Sequence, residues 1–152
     1  MEVEANELPE DDNLVVWEER FVIGIPIIDE EHKRLVNLCN ELYKAVMAKE
    51  KSGLKDTVLS TLRTCVDYIT IHFAHEEKLM QVCGYKDFDM HKKEHAAFTR
   101  MVLGRYQKVD KEVFYVSMGF VKFLYQWILS HVAHTDRLYV DDLKAYLKKN
   151  KI

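Results

Sequence analysis

The stretch Leu62-Arg-Thr-Cys65-Val-Asp-Tyr-Ile69-Thr-Ile-His72-Phe-Ala-His-Glu76-Glu-Lys-Leu79 decides the fold. Leu62, Cys65, Ile69, His72, Glu76 and Leu79 step by three or four residues, the period of one face of an α-helix. His72 and Glu76 fall on that same face, one turn apart. An unpaired polar group in an apolar interior costs on the order of several kcal/mol. An imidazole and a carboxylate on a core stripe therefore point to a purpose beyond packing.

The stepping repeats on both sides of this stretch. Upstream, Pro26 and Asp29 open a helix, with Asp29 as its expected N-cap. Its stripe is Ile28, His32, Leu35, Cys39, Leu42 and Val46, and Ser52-Gly53 breaks it. Downstream, Cys83-Gly84-Tyr85 ends the second helix, and the third carries Phe88, His91, His95, Phe98 and Val102. The fourth carries Val113, Phe120, Leu124, Trp127 and His131, and an amphipathic piece around Leu138 to Leu147 is expected to pack across the bundle end. Gly104 and Gly119 lie inside helices at a cost of ~1 kcal/mol each relative to alanine, which close helix approach would explain. Four long helices with short connections predict an all-α, antiparallel up-down-up-down four-helix bundle with an N-terminal arm and a short C-terminal helix. The arm is expected over 1–13 and the bundle domain over 14–152.

Composition narrows the function. The 152 residues suit one domain, and 22 basic against 25 acidic residues give a net charge of −3 with no basic stripe, which argues against nucleic acid. Acidic residues gather at the start (Glu2, Glu4, Glu7, Glu10, Asp11, Asp12) and read as a flexible, solvated arm. The start lacks the apolar core of a signal peptide, and no run approaches ~18 apolar residues, so no membrane span is expected. Three cysteines (Cys39, Cys65, Cys83) without CxxC spacing fit a reducing, cytoplasmic setting. No long apolar patch is evident, so a monomer is expected.

Seven residues form the candidate site: His32, His72, Glu76, His91, His95, His131 and Asp136. His32 lies early in the first helix, His72 and Glu76 late in the second, His91 and His95 early in the third, and His131 late in the fourth. Alternating early and late places all of them at one depth of an antiparallel bundle. Metal coordination would satisfy every one. If both carboxylates bridge, the five imidazoles give five bonds, the carboxylates four and one solvent-derived bridge two. That is one short of two octahedra. Such nitrogen and oxygen ligation suits iron, with zinc, copper or manganese as alternatives, although zinc prefers four ligands. The five-residue step from His131 to Asp136 does not fit an α-helix, and a π-type bulge would bring Asp136 inward. His75 and His134 lie beside the seam and are read as exposed or as outer partners, and Glu77 as a solvated neighbour of Glu76.

These residues, with Trp17, Gly24-Ile25-Pro-Ile-Ile-Asp29-Glu-Glu-His32, His72-Phe73-Ala-His-Glu76-Glu77, His91-Lys-Lys-Glu-His95 and Trp127-Ile-Leu-Ser-His131-Val-Ala-His-Thr-Asp136, resemble the hemerythrin family in its single-domain bacterial form. The resemblance covers roughly residues 14 to 147. It implies two iron ions in a non-haem, oxo- or hydroxo-bridged di-iron centre that binds dioxygen reversibly, for storage, transport, delivery or sensing. It further implies that Glu76 and Asp136 bridge, that His91, His95 and His131 hold the complete iron, and that His32 and His72 hold the iron with the open position. Trp127, Ile128 and Phe73 would line the oxygen pocket, with Ile128 where the family commonly has leucine. An oxygen-using protein would be the separate partner. An oxygen binder is not an enzyme. The competing reading is a di-iron oxidase, a peroxidase or a nitric-oxide-handling enzyme.

Overall fold

The computed structural model describes residues 13–150. The expected arm over 1–13 lies, apart from Asn13, outside the described residues. Five α-helices follow in order: α1 (Pro26–Met47), α2 (Leu54–Val82), α3 (Phe88–Lys108), α4 (Val113–Trp127) and α5 (Val140–Lys149). A π-helical turn (Ile128–Val132) and a 3-10 turn (Thr135–Arg137) link the last two. The architecture is the four-helix bundle expected: α2 packs on α1 and α3, and α4 closes the bundle on α1. Helix α5 lies against α2 and the 3-10 turn.

The helix boundaries have local causes. Helix α1 begins at Pro26, whose fixed φ suits a first helical position. Asp29 is therefore inside the first turn and not the N-cap, which is Ile25. Its carboxylate instead accepts from the backbone N–H groups of Ile23 (2.9 Å) and Gly24 (3.0 Å), tying down the chain that enters the helix. Helix α2 ends in a left-handed Gly84 at φ +70°, with the Tyr85 N–H donating to the Met80 carbonyl at 2.9 Å. That 6→1 bond turns the chain sharply into α3.

The apolar stripes divide into two cores. The larger holds Leu35, Cys39, Leu42, Leu62, Cys65, Ile69, Phe98, Phe120, Leu124 and Ile128 along the bundle. A smaller one, of Ile28, Met80, Tyr85, Tyr139 and Leu143 with neighbours, sits beneath α5. On each helix the seven candidate residues fall between the two, so apolar layers close the site above and below. Gly104 and Gly119 do not mediate close helix approach: a Cβ would meet open space at Gly104 and only the Arg105 guanidinium, at 3.9 Å, at Gly119.

Among the described residues one stretch, Val113–Lys149, is long and apolar enough by length and composition alone to cross a membrane. In the fold it is α4, two irregular turns and α5, and it carries buried His131 and Asp136.

Candidate metal centre

All seven candidate residues are buried, and they come together. Donor atoms of Glu76, His91, His95, His131 and Asp136 all lie within 4.8 Å of one another. A second group, His32, His72, Glu76 and Asp136, does the same. The two groups share both carboxylates. Asp136 turns Oδ1 toward His91 Nε2 (2.9 Å) and His131 Nε2 (3.0 Å), and Oδ2 toward His32 Nε2 (3.0 Å). Glu76 Oε1 lies 3.2 Å from His95 Nε2 and 3.5 Å from His72 Nε2.

These approaches are close, yet several are not hydrogen bonds. His32 Nε2, His95 Nε2, Glu76 Oε1 and both Asp136 oxygens are buried without a hydrogen-bond partner, despite the short distances between them. Their donor atoms converge on shared points. Buried polar groups are nearly always hydrogen-bonded, so this concentration of unpartnered atoms fits metal ions as the missing partner.

The irregular end of α4 makes the convergence possible. The Ala133 N–H donates to the Ile128 carbonyl at 3.0 Å, an i to i+5 bond that widens the helix at His131. The expected π distortion is present, but the helix does not continue beyond it. His134 leaves helical geometry, and a 3-10 turn carries Asp136 into the site. His134 itself is exposed.

Outer carboxylates hold three of the five rings, while the Nδ1 atoms of His32 and His91 have no partner among the described residues. Glu31 accepts from His72 Nδ1 (2.7 Å) and, through its other oxygen, pairs with His75 Nδ1 (2.6 Å). Glu77 pairs with His95 Nδ1 and Glu94 with His131 Nδ1, each at 2.9 Å. Fixing the proton on Nδ1 leaves Nε2 as a lone pair facing inward. Tyr139 donates to Glu76 Oε2 at 2.9 Å. Sequence reasoning missed Glu31, Glu94 and Tyr139, and Glu77 is an orienting partner where a solvated residue was expected. His75 is the outer partner its position suggested.

Electrostatics follow from burial and these contacts. Burial acts to raise the Asp136 carboxyl, but His131, His32 and His91 overcome it and hold the group well below the usual carboxylate range. Burial acts to lower His32 and His131, and Asp136 and Glu76 outweigh it, so both imidazoles sit above their ordinary value of 6.5. Of the three expected pocket residues, Phe73 stacks on His95 and Trp127 on His131, each with ring centroids 3.8 Å apart, and Ile128 is fully buried beside them.

Fold and site together define a class: a four-helix bundle whose core holds a histidine–carboxylate cluster suited to metal. The chain belongs to the hemerythrin family, because the model of the hemerythrin HHE cation binding domain matches residues 23–143. It is 30% identical over 139 residues to a bacteriohemerythrin of Stenotrophomonas maltophilia, covering 90% of this chain and 86% of that one. It is 33% identical over 133 residues to a bacteriohemerythrin of Pseudomonas aeruginosa, covering 86% and 82%. A crystal structure of a hemerythrin carrying a single leucine-to-alanine mutation superposes with a TM-score of 0.72 at 25% identity, covering 86% of this chain and 98% of that one.

Proposed function

We propose that this chain binds dioxygen reversibly at a non-haem di-iron centre. His91, His95 and His131 would hold one iron and His32 and His72 the other, with Glu76 and Asp136 bridging. The observation that carries the reading is that two clusters of inward donors share both carboxylates. Three imidazoles face one side and two face the other. The second side is thus one protein donor short, which leaves a position for a small exogenous ligand. Iron, when bound, supplies that position and the electrons that dioxygen accepts.

The chain's own residues supply the rest. Glu31, Glu77 and Glu94 fix ring orientation and tautomer, and Tyr139 holds Glu76. The apolar layers around Ile128 and Phe98 on one side and Ile28 and Met80 on the other limit access of water, which slows loss of a reduced ligand.

Elemental analysis of iron-supplied protein should give two irons per chain. The visible spectrum of the reduced protein should then change on exposure to oxygen and return under argon over repeated cycles. One zinc without iron would overturn the reading. Stoichiometric peroxide release at every exposure would replace it with an oxidase.

A further inference from the structure

Two tyrosines border the cluster, in different conditions. Tyr139 is engaged with Glu76. Tyr68, one turn before His72 on α2, is 3% exposed, and its hydroxyl has no hydrogen-bond partner among the described residues. Its ring stacks on His72, with centroids 5.1 Å apart and planes 14° from parallel. The phenol is a neutral hydrogen-bond donor beside the cluster.

A buried phenol O–H without an acceptor is uncommon in a folded protein. Its place is also specific. Tyr68 packs on His72, on the side of the cluster with two imidazoles. On the other side, the rings stacked on His95 and His131 are Phe73 and Trp127.

We propose that Tyr68 is a ligand-binding residue whose hydroxyl donates a hydrogen bond to an acceptor atom of dioxygen, or of a small anion such as azide, bound on the His32–His72 side. This rests on the di-iron reading above. A donor there favours ligands that gather negative charge on the atom turned toward it.

The test uses iron-loaded, oxidised full-length protein with azide as the probe, compared with Tyr68→Phe. The variant should retain iron and helicity, and its azide dissociation constant should rise about tenfold, the loss of one hydrogen bond to a charged acceptor. Azide carries no exchangeable proton, so its infrared stretch should shift between H2O and D2O in the parent, and that shift should shrink in the variant. The metal-free variant should melt no lower than the parent, because it has lost only an unpartnered hydroxyl. Equal azide affinity and an unchanged isotope shift overturn the role of Tyr68 and leave the di-iron reading intact. A lower melting temperature with equal affinity overturns it in favour of a structural bond to buried water. A chain that takes up no iron shows no azide band and overturns both.

Discussion

Replacing the outer carboxylates one at a time by alanine tests whether they hold the metal site. Glu31→Ala leaves the His72 Nδ1–H buried with no acceptor, and only the stacked Tyr68 ring and the inner contact to Glu76 then constrain that ring. A hydrogen bond to a charged partner contributes about 1.5–3 kcal/mol. Loss of an outer partner of a metal-bound histidine typically weakens metal binding about 10–100-fold. How much of this is felt depends on whether water can substitute. The Glu31 side chain is 17% exposed, Glu77 23% and Glu94 45%. Glu31→Ala should therefore approach the upper part of that range and Glu77→Ala the middle. Glu94→Ala should stay within about threefold, because solvent reaches the vacated position and an exposed ion pair is worth little. Glu31→Gln, which keeps an acceptor but loses the charge, should recover part of the loss. The assay is competition with a chromogenic iron chelator, with helicity measured in parallel so that unfolding is not mistaken for weak binding. If Glu94→Ala proves as damaging as Glu31→Ala, or if Glu31→Ala stays within about twofold of the parent, the rings are not held by these carboxylates.

Two further predictions concern the inner donors. His72→Ala should lose iron from the two-imidazole side, while His75→Ala, whose ring is 41% exposed, should keep a full complement; iron-to-protein ratios for the two decide the assignment on α2. Metal stabilisation should depend on pH. His32 and His131 are raised above 6.5, so in the metal-free chain their contribution is complete below about 6.5 and is lost as pH rises through their folded values. Asp136 is held low, so its contribution persists through neutral pH and is lost only in acid. Metal requires both imidazoles unprotonated. The gap between loaded and metal-free melting temperatures should widen from about pH 6 to about pH 8, and a gap that is flat or narrows would contradict the buried carboxylate–imidazole contacts.

The bundle and its inner seven residues were readable because helical periodicity and metal donors leave the same trace, a polar side chain on an apolar stripe. Alternation along the chain then gave their common depth. The π turn could be inferred because the step from His131 to Asp136 violates the α period, but the 3-10 turn that follows leaves no comparable mark. Asp29 looked like an N-cap because capping residues and first-turn acids share chemistry, and only the start at Pro26 separates them. Glu31, Glu77 and Glu94 were hidden for a geometric reason. A residue adjacent to a seam position lies about 100° around the helix, and a single helix does not say whether that direction meets solvent or a neighbour. Tyr68 carried a usable signal, since it lies four residues before His72, but Ile69 occupies the same stripe and reads as sufficient core.

The outer carboxylates follow a single rule around the bundle. Each stands beside an inner residue of its own helix and serves a histidine of the next: Glu31 on α1 to His72 on α2, Glu77 on α2 to His95 on α3, Glu94 on α3 to His131. The 100° offset makes this the natural reach of a seam-adjacent side chain. The rule stops where the last segment should serve α1. His32 Nδ1 has no partner among the described residues. Of the two residues beside Asp136, Thr135 donates to the Ser130 carbonyl and the Arg137 guanidinium binds the backbone carbonyls of Glu19 and Arg20. At this boundary the chain has left the α-helix, and Asp136 faces His32 only from the inner side, Oδ2 toward Nε2 at 3.0 Å. His32 is therefore the ring of α1 that no outer carboxylate holds, and the segment at Glu19 and Arg20 ahead of α1 is tied to the same turn that delivers Asp136. No two helices alone can orient all five imidazoles. The site can form only with the whole bundle, and for that reason metal bound there should stabilise the fold as a unit.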